Sequence, residues 1–134
     1  MIEAGDTAEA SFTVGPGDTA RGLSISPEDE FPEVFATSRM VALMELAAAR
    51  VMRKVLKPGE LSVGVSVDVR HTAATPVGCT VRAIATYVGP QGGQHLFRIE
   101  AFDDAGPIGD ASHARAVIST ERLLKGAEKR RKRT

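Results

Sequence analysis

Three residues of the chain carry side chains that could attack or activate an electrophilic carbonyl: Thr37, Glu45 and His71. Glu45 stands between Met44 and Leu46, inside the apolar, alanine-rich stretch FATSRMVALMELAAARVM. Burying an ionised carboxylate costs several kcal/mol unless it is paired, or its pKa rises and it keeps its proton. The position of Glu45 therefore indicates either a carboxylate satisfied by backbone donors or by an arginine at a helix–sheet or subunit contact, or a catalytic carboxylate.

His71 follows four valines at alternating positions, which share its side of a strand. These valines are Val63, Val65, Val67 and Val69. If this side packs on the helix, His71 and Glu45 enter one layer, where a carboxylate and an imidazole can exchange protons. A histidine satisfied within the core is the alternative.

Thr37 opens the helical stretch, where its hydroxyl is expected to cap the helix or else to serve the site. Thr37 and Glu45 are eight residues apart, which is about 12 Å along a helix axis. The two therefore meet only if the chain folds back before the helix, or if the site joins two subunits.

The elements that would position these side chains are one helix and about five strands. Residues rich in Ala, Leu, Met and Arg predict a helix from about residue 38 to residue 57, ended by Pro58 and Gly59. Strand-like segments cover residues 9–14, 61–72, 79–88, 95–102 and 108–119. Short turn sequences separate the last four, which favours an antiparallel meander. The fold class is therefore α+β, with the helix lying across the sheet.

Composition limits the classes of partner. The 134 residues fit one domain, and 17 basic residues balance 17 acidic ones, so no overall field attracts nucleic acid or lipid. Neither a signal-like N-terminus nor a membrane-spanning apolar run is present, so we expect a cytoplasmic protein. The histidines and the single cysteine lack metal-ligand spacing, and we expect no metal.

The C-terminal residues differ in composition from the rest of the chain. The last ten, KGAEKRRKRT, include six basic side chains. We expect a domain over residues 1–123 and a solvated, frayed basic tail over residues 124–134, with contact to an anionic surface as the alternative.

Four sequence blocks, FPEVFAT, LME, HTAATP and HARAVI, resemble the fluoroacetyl-CoA thioesterase family of hot-dog-fold thioesterases. The similarity runs over about residues 31–123. It implies an antiparallel sheet wrapped around one long helix, a homodimer with its sheets joined edge to edge, and acyl-CoA sites at the subunit interface. It also implies catalytic roles for Thr37, Glu45 and His71, with CoA entering as part of the substrate and no cofactor.

The same resemblance assigns substrate contacts to Phe31, Gly64 and Arg115. Arg115 alternates with alanines, which suggests an exposed strand face, where it would be a plain surface residue or would bind CoA phosphates. Gly64 has the opposite strand parity from His71, so its role near the thioester requires a bulge or a backbone contact.

A lid-like segment, SPEDEFPEVF, precedes the helix. In it, Phe31 and Phe35 would cover the acyl end of the substrate or simply anchor the segment. Glu28 stands where the family has a second aromatic residue, which argues against selectivity for a fluorinated acyl group.

These residues together predict hydrolysis of a short-chain acyl-CoA to the free acid and CoA. Glu45 would attack the thioester directly or activate water, His71 would orient or protonate, and Thr37 would donate a hydrogen bond or relay a proton. The alternatives are a non-catalytic module that binds acyl-CoA or another small ligand, and a hydratase or dehydratase on the same fold.

Overall fold

One long helix lies against a five-stranded antiparallel sheet in the computed structural model, which describes residues 1–131. The strands are β1 (Thr7–Thr13), β2 (Glu60–His71), β3 (Thr80–Gln91), β4 (Gln94–Asp103) and β5 (Gly106–Ser119). The helices are α1 (Thr37–Met52) and α2 (Thr120–Arg131). This arrangement confirms the predicted α+β class.

The order of strands in the sheet is β1-β3-β4-β5-β2. Strands β3, β4 and β5 form the expected meander, but β2 pairs with β5 and not with β3, so the meander prediction is wrong for β2. The reason lies in the loop after β2, which does not turn back as a hairpin. Its buried Thr75 accepts a hydrogen bond from the Phe35 amide at 2.8 Å and donates one to Asp103 at 2.7 Å, and so holds the loop across the fold.

Helix α1 buries one face on the sheet. The buried side chains recur every three or four residues, as an amphipathic helix requires. They are Met40, Leu43, Met44, Ala47, Ala48, Val51 and Met52. Fully buried alanines of β3, Ala83 and Ala85, leave room for the helix to approach closely. The α-helix ends before the predicted residue 57 because its last turn tightens into a 3₁₀ helix at Arg53–Val55.

Strand β2 contains a bulge at Val65. Gly64 lies opposite Arg115 on β5, whereas Ser66 lies opposite the adjacent Ala114, so Val65 has no partner in the register. One extra residue reverses the alternation of faces. Gly64 therefore shares the helix-facing side with His71, as its expected role required, and the predicted valine stripe breaks at Val65, which is 49% exposed.

The C-terminal segment was expected to be frayed, but it forms a helix up to Arg131. Helix α2 has no buried residues. The Ser119 hydroxyl accepts a hydrogen bond from the Arg122 amide at 3.3 Å, and Lys125 pairs with Glu121 at 3.5 Å, which together support the helix. The division into a domain and a tail stays a prediction, and its last three residues lie outside the described chain. None of the helices within residues 1–131 is long and apolar enough to span a membrane.

Candidate active site

Thr37 and His71 meet where α1 begins and β2 ends. The N-cap of α1 is Ala36, not Thr37, so the capping prediction is wrong. The Thr37 Oγ1 atom instead lies 2.8 Å from Nδ1 of His71. When the imidazole is neutral with its proton on Nε2, the hydroxyl donates to Nδ1. This geometry allows the other expected role of Thr37, in which its hydroxyl serves the site, here by bonding to the imidazole.

The surroundings of His71 favour its neutral form. Burial lowers the pKa of His71 below its usual 6.5, and an interaction with the backbone of Ala73 opposes this only in part. The ring of Phe35 approaches edge-on, with 6.3 Å between ring centroids. A neutral imidazole at pH 7 is able to accept a proton or to polarise a carbonyl through its remaining N–H.

A cavity of about 320 Å³ opens beside this pair. Its lining includes Pro32, Val34, Phe35, Thr37, His71 and Ala74. Phe35 is 1% exposed and packs edge-on against Phe12, so it anchors the segment before α1. Phe31 is 53% exposed and lies outside the cavity lining. The two phenylalanines that the sequence put together in one lid therefore have different environments.

Glu45 belongs to a second cluster, on the middle of α1. Its Oε1 atom accepts a hydrogen bond from Nη1 of Arg115 at 2.9 Å, in an ion pair whose arginine side chain is 7% exposed and whose glutamate side chain is 40% exposed. Arg115 also donates from Nε to the Ser62 hydroxyl at 2.9 Å and from Nη2 to the Ser62 carbonyl at 2.8 Å. The prediction of an exposed Arg115 is wrong, because its side chain is buried and the guanidinium is bonded to Glu45, Ser62 and His113.

Gly64 lets the Glu45 carboxylate approach the sheet. A Cβ atom at this position would collide with Oε1 of Glu45 and would lie 3.3 Å from Cε1 of His113. His113 is 3% exposed, and its ring bonds to the Ser66 carbonyl at 2.8 Å and to Nη1 of Arg115 at 3.2 Å. Sequence reasoning missed His113 as part of this cluster, although it shares strand parity with Arg115.

The two clusters are separate within one chain. Thr37 and Glu45 stand about 12 Å apart along the axis of α1. Gly64 and His71 are seven positions apart on β2, or about 23 Å. Among the described residues no hydrogen bond or ion pair joins Glu45 to His71, so the two are not paired within one chain. They share a face of the sheet but occupy different ends of it.

The part of the chain that the structure describes contains no group of three or more His, Cys, Asp or Glu side chains placed to hold a metal ion. What the two clusters offer instead is acid–base and nucleophilic chemistry. One supplies a carboxylate held by a cation, and the other a neutral imidazole bonded to a hydroxyl.

A five-stranded antiparallel sheet packed on one long helix is the architecture of the hot-dog thioesterases. A solved Thermus thermophilus protein, described as a thioesterase superfamily member, is similar with a TM-score of 0.88 and 26% identity, covering 99% of this chain and 96% of that one. The hot-dog fold predicted from the sequence is thereby confirmed.

The family model described as FlK, fluoroacetyl-CoA-specific thioesterase, matches residues 14–121. The fluoroacetyl-CoA thioesterase of Streptantibioticus cattleyicolor is 44% identical over 124 residues, which are 91% of this chain and 89% of the relative. A crystal structure of the fluoroacetyl-CoA thioesterase FlK matches with a TM-score of 0.89 and 43% identity, covering 100% of this chain and 98% of that one. The chain belongs to the FlK family, as the four sequence blocks indicated.

Proposed function

We propose that the chain hydrolyses a short-chain acyl-CoA thioester to the free acid and CoA, with Thr37, Glu45 and His71 as catalytic residues. The observation that carries this proposal is the 2.8 Å bond between Thr37 and His71 at the wall of a cavity. A carboxylate held by Arg115 and membership in a family named for a fluoroacetyl-CoA thioesterase support it further.

The catalytic site in this proposal is formed by two subunits of a homodimer. Strand β2 is an edge of the sheet, and its Leu61 and Val65 are 52% and 49% exposed. Apolar edge strands invite pairing with a second copy, and a two-fold axis relates the same surface on both copies. Pairing of the two β2 strands places the Glu45 of one subunit near the Thr37 and His71 of the other, which removes the distance that separates them in one chain.

Two routes are open to Glu45. In the first, a carboxylate oxygen attacks the thioester carbon, the CoA thiolate leaves and takes a proton, and water hydrolyses the resulting anhydride. In the second, Glu45 takes a proton from water, which attacks instead. In both, His71 stabilises the carbonyl oxygen or protonates the thiolate, and Thr37 orients the ring. Single turnover in oxygen-18 water labels Glu45 only by the first route.

The substrate contacts follow the sequence assignments with one restriction. Gly64 lets the Glu45 carboxylate approach β2, and Phe31 and Phe35 cover and support the acyl end. The contact of Arg115 with CoA phosphates stays a prediction, and it would require the guanidinium to leave Glu45 or Ser62. Because Glu28 replaces an aromatic residue, we expect weak discrimination between acetyl-CoA and fluoroacetyl-CoA. The reaction requires no cofactor, since CoA is part of the substrate.

Release of free thiol from a panel of acyl-CoAs tests the proposal. Glu45→Gln and His71→Ala should each lower kcat by about 100-fold or more, as loss of a general base or nucleophile does, while the melting temperature changes little. Glu100→Gln makes the same chemical change at an exposed position of β4 and should keep the wild-type rate. A wild-type rate in Glu45→Gln would contradict the assignment.

The same panel separates the alternatives. Binding of acyl-CoA with no thiol release from any member would favour the non-catalytic module. Addition of water to an enoyl-CoA, with the thioester intact, would favour a hydratase.

A further inference from the structure

His113, on the helix-facing side of β5, uses both of its ring nitrogens inside the protein. The Ser66 carbonyl, 2.8 Å from Nδ1, can only accept a hydrogen bond, so Nδ1 carries the proton. The guanidinium Nη1 of Arg115, 3.2 Å from Nε2, can only donate, so Nε2 accepts. The two partners therefore fix one tautomer of a neutral imidazole.

The acceptor on His113 completes the set of bonds that orients Arg115. Two donors of the guanidinium are taken by Ser62, and Nη1 is shared between His113 and Glu45. A guanidinium is planar, so holding Nε, Nη2 and Nη1 leaves it no free rotation. Glu45 is 40% exposed, and Arg115 is its only hydrogen-bond partner among residues 1–131, so the carboxylate is positioned by a group that His113 helps to hold.

The bulge on β2 supplies the base of this chain of contacts. Ser66, whose carbonyl accepts the hydrogen bond from Nδ1, is the residue after the bulge at Val65. The backbone irregularity that brings Gly64 under Glu45 therefore also fixes the ring that orients Arg115.

We propose that His113 is a positioning residue for the hydrolysis: by accepting a hydrogen bond from Arg115, it fixes the guanidinium that orients Glu45. This inference rests on the proposed function. It assigns to His113 no contact with the substrate.

The environment of His113 keeps Nε2 unprotonated, so that it can accept the hydrogen bond from Arg115. Burial, and to a smaller extent the charge of Arg115, lower the pKa of His113 below its usual 6.5, while the Ser66 backbone and Glu45 oppose this. Protonation of Nε2 would turn the acceptor into a donor that faces the guanidinium.

Two substitutions separate the two bonds of His113. His113→Gln places an amide oxygen near the Nε2 position and keeps an acceptor for Arg115. His113→Asn places an amide nitrogen near the Nδ1 position and keeps the donor to Ser66, but has no acceptor for Arg115. His95→Asn is the control, because His95 lies opposite Arg115 on β4 but its ring bonds to Tyr87.

We expect His113→Asn to lower kcat about tenfold, the rate equivalent of one net hydrogen bond, with little change in KM. His113→Gln should retain most of kcat, and His95→Asn all of it. A purely structural role predicts a different pattern, in which kcat losses follow the losses in melting temperature for both variants. Equal kcat values for the Asn and Gln variants would overturn the proposal.

A second readout does not depend on hydrolysis or on the stability of the variants. In the nitrogen-15 spectrum of the wild-type protein, His113 should be protonated at Nδ1 and not at Nε2, and the opposite tautomer would overturn the proposal. If the wild type hydrolyses no acyl-CoA, the proposed function fails, and exchange of the Arg115 Nε proton decides the positioning role. That exchange should be faster in His113→Asn than in His113→Gln, and equal exchange would overturn the role.

Discussion

At the scale of single residues, the carboxylate in the middle of the helix is explained by a partner 70 positions further along the chain. Arg115 compensates the charge of Glu45 and lies under it, nearly buried, with its remaining donors satisfied by Ser62 and His113. A paired and hydrogen-bonded charge can remain ionised where an isolated one would not. The ionised form is the one that both catalytic routes require.

Gly64 gives a direct test of how closely the carboxylate must approach the sheet. Gly64→Ala adds a methyl group in the space that Oε1 of Glu45 occupies, so the carboxylate must move and kcat should fall at least tenfold. Its melting temperature should change little, because the end of the Glu45 side chain can swing toward solvent.

The matched control for this substitution is Gly126→Ala. Nothing lies within 4 Å of a Cβ at position 126 on the exposed helix α2, so kcat should be unchanged and the helix slightly stabilised. Kinetics and thermal melts of both variants measure the contrast. Full activity in Gly64→Ala would mean that the position of the carboxylate is not critical.

Two histidines, the half-buried His71 and the buried His113, should make stability depend on pH. Burial lowers the pKa values of His71 and His113 below 6.5 in the folded chain, so the unfolded state binds more protons as the pH falls through this range. The free energy of unfolding should therefore decrease as the pH falls from about 6.5 to about 5.

Urea unfolding at several pH values measures this effect. Asp18 and Asp103 have lowered pKa values, so their stabilising contribution is lost only near and below their ordinary value of 3.8. They therefore do not contribute to the change expected between about pH 6.5 and about pH 5. His71→Ala should reduce the slope. A free energy of unfolding that rises as the pH falls from about 6.5 to about 5 would contradict the predicted decrease.

Residue types were easier to predict than residue partners. Thr37, Glu45 and His71 stand out because of where they occur in apolar or helix-initial sequence. Their partners depend on contacts between distant parts of the chain, which one sequence does not specify. For that reason an arginine was expected as one possible partner of Glu45 but Arg115 was not named, and Thr37 was expected to cap a helix whose N-cap is Ala36.

At the scale of elements, strand β2 carries the features that matter for the site. The sequence correctly located all five strands and the long helix, since alternation and turn residues are local signals. It misplaced β2 in the sheet, because strand neighbours are chosen by long-range packing. The sequence indicated only that a bulge, or else a backbone contact, is needed if Gly64 is to act near His71. The register contains such a bulge, at Val65.

The exposed bulge residue of β2 tests whether this edge forms a dimer. Val65→Lys adds a charge at the unpaired edge, where it should weaken association and lower activity at low protein concentration. The folded subunit should keep its stability, since Val65 is 49% exposed.

Val88 is the matched control, because it is the bulge residue of the interior strand β3 and is 48% exposed. Val88→Lys should leave association unchanged. Analytical ultracentrifugation with activity measured over a dilution series distinguishes the two variants. A dimer of unchanged strength in Val65→Lys would argue against an interface along β2.

At the scale of the whole molecule, the sequence determined the class more firmly than the assembly. Neutral charge and ordinary composition argued against bulk attraction to nucleic acid or lipid, and four short blocks identified the family that the match over residues 14–121 confirms. The assembly is not encoded in any local pattern. It is inferred from the separation of the two clusters, each of which would supply half of the proposed hydrolytic site.

The most direct test of the shared site is complementation between two inactive variants. Glu45→Gln and His71→Ala, carried on subunits with different affinity tags, are co-expressed, and the mixed dimer is purified through both tags. In this dimer one site contains both substitutions and the other contains neither, so the mixed dimer should show about half of the wild-type kcat. A mixed dimer as inactive as the two parents would contradict the shared site and place Glu45 and His71 of each site in the same chain.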